Sequence, residues 1–213
     1  MVIKKNVFDA RCRRCSRLVA FLTQSRENYP AYYAAPVAAF GDETPALLIV
    51  GLAPGMHGAN ATGRPFTGDQ SGAMLFETLY KYGFSSAPSS LASDDGLQLF
   101  NCRITNAVKC LPPQNKPTTA EIKNCSTYLA AELQALKQGS VVIALGSIAH
   151  AAVLRAFEMK LTACKFGHGE EHKLPGALTM IDSYHCSRYN TQTRRLTESM
   201  FHAVFLRAKE LIT

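Results

Sequence analysis

At 213 residues, 47% hydrophobic and only 18% charged, the chain has enough apolar side chain for one core and too little charge for a disordered one. No apolar run approaches the roughly 20 residues of a membrane span, and residues 1–6 lack the apolar core of a signal peptide, so no membrane partner and a cytoplasmic protein are expected. Lys and Arg outnumber Asp and Glu by 23 to 16, a formal charge of +7 that favours a polyanionic partner, and seven cysteines in a cytoplasmic chain point to metal, redox or core roles rather than disulfides.

Taken in order, residues 7–24 read as a helix with Cys12-Arg13-Arg14-Cys15 in its first half, followed by an aromatic loop over 25–40. Residues 46–50 are an apolar first strand. Residues 51–72 hold six glycines, too many for a packed element, and lead into a helix over 71–82. A strand, a glycine-rich turn and a helix start together suit an anion or a polar heterocycle. Residues 85–96 read as an exposed loop, and 100–108 as a second strand. The loop 109–119 ends at Thr118 or Thr119, either of which can cap a helix running to about 138. Residues 140–145, apolar throughout, form a central third strand. A helix over 148–157, an irregular stretch over 159–175, a fourth strand over 177–184, a polar loop over 185–193 and a last helix over 194–212 complete the chain.

Strands alternating with helices predict an α/β fold, a parallel sheet covered on both faces, in one domain over residues 1–213. Ligands of such sheets sit beyond the carboxyl ends of the strands. The loops that follow the four strands are also the most polar segments, so organisation and composition point to one site.

Four of the seven cysteines fall into two pairs, Cys12-x2-Cys15 and Cys110-x14-Cys125. Four thiolates suit either zinc or an iron–sulfur cluster, and spacing alone leaves that choice open. Cys102 and Cys164 read as small apolar residues.

The segments Gly-Leu-Ala-Pro-Gly (from Gly51) and Thr-Gly-Arg-Pro-Phe-Thr-Gly-Asp (ending at Asp69) resemble the first motif of the uracil-DNA glycosylase superfamily, in its fifth family. The stretch from His185 to Thr197 resembles that family's second motif, and the four cysteines are similar to the [4Fe-4S] ligands of its fourth and fifth families. The resemblance runs from Cys12 to the final helix. It implies a three-layer α/β/α sandwich with a central four-stranded parallel sheet. It also implies a structural [4Fe-4S] cluster on Cys12, Cys15, Cys110 and Cys125. The expected activity is hydrolytic excision of uracil, or of another deaminated base, from DNA in base excision repair, by a monomer at the nucleoid. A glycosylase acting mainly on deaminated purines, or a non-catalytic damage-binding module, are the alternatives.

The chemistry needs a flipped base, stabilisation of its developing negative charge and a water at the anomeric carbon. By resemblance, Gly51, Leu52, Ala53, Pro54 and Gly55 supply the backbone of a base pocket and Phe66 its stacking face. His185 donates a hydrogen bond to uracil O2. Leu52-Ala53 stands where many members of the superfamily carry a polar, water-activating residue. The catalytic burden therefore falls on Asp69, Asn115 and His185. Asn106 is an amide able to read O4 and N3-H, where the fifth family commonly has a small residue. Lys116 and Ser147 are candidate phosphate contacts. Arg188, Gln192, Arg194 and Arg195 form a DNA-facing edge, with Leu196 as the wedge that fills the gap left by the base. Two residues depart from the second motif: Cys186 replaces Pro or Val, and Arg194 replaces Gly. No lysine in the motifs is placed for a Schiff base, so water is the nucleophile.

Overall fold

A computed structural model describes residues 8–212. Its sheet has six strands: β1 (Phe40–Gly41), β2 (Leu47–Gly51), β3 (Cys102–Asn106), β4 (Val141–Leu145), β5 (Glu171–Leu174) and β6 (Leu178–Ser183). They lie in the order β1-β3-β2-β4-β6-β5. The pairs β3–β2, β2–β4 and β4–β6 are parallel, so the four expected strands form the centre. These are the expected central four-stranded parallel sheet, to which β1 and β5 add antiparallel edge strands. Neither edge strand carries the continuous apolar run of a buried strand: β1 has two residues, and β5 reads Glu-His-Lys-Leu with its first three residues partly exposed. An edge needs no such run.

Seven helices complete the described fold: α1 (Ser16–Asn28), α2 (Ala59–Thr62), α3 (Gln70–Lys81), α4 (Thr119–Gln134), α5 (Ser147–Ala156), α6 (Arg188–Gln192) and α7 (Glu198–Ile212). Alternation along β2 sends Leu48 and Val50 to one face of the sheet and Leu47 and Ile49 to the other. The first pair joins a core with Leu18 and Leu22 of α1, Leu129 of α4 and Val153 of α5. The second joins Phe76 of α3 with Phe201 and Phe205 of α7. The result is helices, sheet, helices. No helix among the described residues is long and apolar enough to cross a membrane.

Helix ends moved for local reasons. Asp9 accepts the Arg11 N–H on its carboxylate at 2.8 Å and the Cys12 N–H on its carbonyl at 3.1 Å, closing a turn. α1 therefore starts at Ser16, and Cys12 and Cys15 lie ahead of it rather than inside it. Val7, the expected start, is outside the described residues. The expected helix over 194–212 starts four residues late. Arg194 has a left-handed φ of 56°, and α7 begins only at Glu198. Thr118 caps α4 as read, and Glu121 returns the bond to the Thr118 N–H at 2.7 Å.

Candidate active site

The carboxyl ends of β2, β3, β4 and β6 deliver Gly51, Asn106, Leu145 and Ser183 to one edge of the sheet. Gly51 is glycine because of what lies against it. A Cβ there would strike the Asn106 Oδ1 and come within 2.7 Å of the Phe66 ring. Phe66 is 6% exposed and held at φ 56°, and Asn106 is 4% exposed. The Asn106 amide makes no side-chain hydrogen bond among the described residues. A buried amide without partners is costly in a finished core, and natural where a ligand supplies them.

The Phe66 and His185 rings lie 6.0 Å apart at 25°, close to parallel. His185 follows β6 on a short polar turn. Asn190 Nδ2 donates to its carbonyl at 2.8 Å, which ties the turn to α6. Burial pushes the His185 imidazole down to about 4, so at neutral pH it is an uncharged ring with one N–H to donate. It opens onto a cavity of about 230 Å³ lined also by Leu52, Gly146, Ser147, Tyr184 and Arg195.

Asp69 caps α3: its Oδ1 accepts the Gly72 N–H at 2.9 Å. Its other face presses on Gly58, where a Cβ would meet the Asp69 Oδ2. Burial raises the carboxyl above its ordinary value, against the pull of the Gly72 and Ser71 N–H groups. A capping carboxylate with a raised pKa, half-buried beside Gly55 and Gly58, can both end a helix and take a proton. The loop that carries it is braced at Arg64, which donates to Ser90 at 3.0 Å and Asp95 at 2.6 Å, with its guanidinium over the Phe40 ring. The stretch read as an exposed loop therefore carries an anchor, with Ser85 and Ser90 buried.

The remaining expected residues divide by exposure. Ser147 begins α5 at the cavity rim, and Arg188, Gln192, Arg194 and Arg195 are exposed nearby, Arg195 lying 4.8 Å over the Tyr184 ring. Of residues 51–55, only Leu52 lines the cavity. Phe66, Asp69, Asn106, Asn115 and Lys116 are not part of the cavity lining; Asn115 and Lys116 are exposed on and after a 3-10 turn, Pro113–Asn115. Leu196 is a correction. It is 1% exposed and packed in the core with Phe201, so it cannot wedge into a duplex. The exposed apolar side chain of that loop is Tyr189, 71% exposed on α6.

A second recess lies between α1 and α4. Cys12, Cys15, Cys110 and Cys125 line it together with Arg14, Val19 and Asn124. Arg17 of α1 clamps Glu121 of α4 at 2.7 and 2.8 Å, which brings the two cysteine pairs face to face. Burial first, and then the other three thiols, push Cys110 up to about 12. Asn124 Nδ2 donates to Cys15 Sγ at 3.5 Å, and the buried Tyr128 hydroxyl, one turn beyond Cys125, lies beside Cys12. Four convergent sulfurs, of which Cys110 and Cys125 are raised first by burial and then by their neighbours, with the Tyr128 and Asn124 donors beside them, fit a thiolate-ligated cationic centre.

A sequence profile of the uracil DNA glycosylase superfamily matches residues 38–209. The chain belongs to that superfamily. It is 47% identical over 205 residues to a type-5 uracil-DNA glycosylase of Thermus thermophilus, covering 94% of this chain and 93% of that protein. A type-5 uracil-DNA glycosylase of Pyrobaculum aerophilum is 42% identical over 92% of this chain and 87% of its own length. A type-4 uracil-DNA glycosylase of Archaeoglobus fulgidus is 28% identical over 91% and 86%.

The structure accounts for both departures from the superfamily's second motif. Arg194 sits at φ 56°, backbone that glycine adopts without strain, so the motif's usual glycine is a conformational choice. Cys186 is 1% exposed and donates to the Ser71 carbonyl at 3.4 Å, so it docks the His185 turn on α3 in place of a ring or branched side chain. Asn190, Tyr184 and Phe166 were missed as cavity residues. Asn190 had a signal, its place five residues after His185 in the motif. Phe166 lay in a stretch without periodicity and had none.

Proposed function

We propose that the chain is a monofunctional DNA glycosylase that flips uracil out of DNA and hydrolyses its N-glycosyl bond, leaving an abasic site. The observation that carries this is the meeting of the neutral His185 ring, the unpartnered Asn106 amide and the Phe66 ring around Gly51. The base stacks on Phe66, and Asn106 pairs with O4 and N3-H. As the C1′–N1 bond breaks, its electrons pass to the base, and the His185 N–H stabilises the charge at O2. Asp69 faces the cationic sugar, orients a water towards C1′ and takes its proton. The uracil anion takes up a proton from solvent as Asp69 gives its proton up, and the products are free uracil and an abasic deoxyribose.

Tyr189 takes the wedge role in place of Leu196. Arg188, Gln192, Arg194, Arg195, Ser147 and Lys116 hold the phosphates. Asn115, beside Lys116 on its exposed turn, belongs to that DNA-side rim rather than to the cavity. In this reading the enzyme is a monomer that acts in the cytoplasm at the nucleoid. Cys12, Cys15, Cys110 and Cys125 would hold the [4Fe-4S] cluster, which joins the start of α1 to α4 as a structural element. The apolar rim at Leu52 favours a wider range that includes deaminated purines.

The test is base release by the purified, cluster-loaded protein from duplexes containing uracil, hypoxanthine or xanthine. Free uracil, with strand breakage only after alkali, is expected. Release of the purines without uracil would overturn the uracil assignment, and lesion binding without any free base would overturn the enzyme reading.

A further inference from the structure

His150, His172 and Asp182 form a buried cluster that base excision does not use. They come from three elements, α5, β5 and β6. Asp182 is fully buried, His150 is 4% exposed, and the His172 side chain is 10% exposed. His150 Nδ1 lies 2.8 Å from Asp182 Oδ1, and His172 Nε2 lies 2.9 Å from Asp182 Oδ2. One ligating atom of each residue lies within 4.8 Å of the others. Among the described residues, Asp182 forms ion pairs with these histidines and with no lysine or arginine.

Hydrogen arithmetic sets the constraint. His150 Nε2 faces the Cys164 carbonyl at 3.2 Å, and a carbonyl only accepts, so that nitrogen carries a hydrogen. In a neutral ring Nδ1 is then a bare lone pair, and it points at a carboxylate oxygen. Two acceptors at 2.8 Å repel unless a cation lies between them. That cation is either a second proton or a metal ion. Two imidazoles and a carboxylate are a ligand set that zinc takes, with a fourth position left for water. The Cys164 carbonyl on His150 and the Gly167 N–H on Asp182, at 3.3 Å, are outer partners of the kind that fix the orientation of metal ligands.

We propose that His150, His172 and Asp182 bind one divalent ion of the zinc class, at a site separate from the cysteine recess. The ion braces the cavity wall. Gly169 N–H bonds the Asp182 carbonyl at 2.8 Å, and Phe166, a cavity residue, meets the His150 ring edge-on at 5.7 Å. Metal binding therefore holds residues 164–169 against β6 and keeps Phe166 in the wall.

The experiment uses the cluster-loaded protein, so that the cysteines are occupied. It is stripped with EDTA, desalted, and titrated with Zn²⁺ by calorimetry and with Co²⁺ by absorption. One ion per chain is expected, with weak Co²⁺ ligand-field bands and no added thiolate charge-transfer band. His172→Ala is expected to weaken binding by more than about 100-fold, beyond the loss from removing an outer partner. Zn²⁺ is expected to raise the melting temperature of the wild type and not of the variant. His172→Gln, with circular dichroism and cluster absorbance as checks on folding, repeats the comparison with less loss of packing. A wild type that binds no stoichiometric ion, or binding that survives both substitutions, would overturn the proposal and leave a proton between His150 and Asp182.

Discussion

The cavity beyond the parallel strands and the cysteine recess between α1 and α4 are both lined by side chains that the proposed function uses, but they are completed differently. The cavity is finished by backbone shape. Gly51 leaves room for Phe66 and Asn106, Asn190 fixes the turn at His185, and Asp69 is held by the helix it caps. The recess is lined by sulfur: burial and then the neighbouring thiols raise Cys110 to about 12, and the Tyr128 hydroxyl lies beside Cys12. On the proposed function, the cavity is expected to keep its shape when His185 is removed, whereas the recess is expected to lose stability when a cysteine is removed.

Substitutions can break that contrast. The largest expected effect is at His185: His185→Ala lowers single-turnover uracil release by about 10²–10³-fold while the melting temperature barely moves. Next is Cys110→Ala, expected to lose iron and visible absorbance and at least about 3 kcal/mol of stability, or roughly 6–12 °C in melting temperature. Iron retained in that variant would place the ligands elsewhere. Leu196→Ala and Tyr189→Ala separate core from DNA edge. The first is expected to cost about 2–5 kcal/mol in denaturant unfolding. The second leaves stability within about 0.5 kcal/mol and weakens lesion-DNA binding in a fluorescence assay. The smallest effect divides the two roles of Asp69. Asp69→Ala loses about 1 kcal/mol of capping, Asp69→Asn keeps the cap, and both slow excision. Full activity in Asp69→Asn would leave Asp69 as a cap alone.

The parallel sheet and its site were legible because long apolar runs such as Val141–Leu145 admit one reading, and parallel topology sends their ends to one edge. The edge strands were not, since a two-residue strand and Glu-His-Lys-Leu carry no buried pattern. Two motifs gave the catalytic candidates. The fate of Leu196 was hidden because the left-handed turn at Arg194, which sequence periodicity does not register, swings it into the core and leaves Tyr189 outside. The four cysteines could be paired by spacing, but the clamp of Arg17 on Glu121 that brings the pairs together spans 104 positions and shows only in the fold.

The central claim is that an uncharged His185 stabilises the leaving base. Burial holds its pKa at about 4, so the folded protein refuses the proton that an unfolded histidine takes near 6.5, and stability falls as pH drops through that window. The direct measurement is single-turnover uracil release from pH 4 to 8 by the wild type, Asp69→Asn and His185→Ala. The account predicts no break near pH 6.5, an acid loss of rate that Asp69→Asn removes, and a low rate at every pH for His185→Ala. A break near 6.5 that survives Asp69→Asn and disappears in His185→Ala would show a charged histidine in the reaction and contradict it.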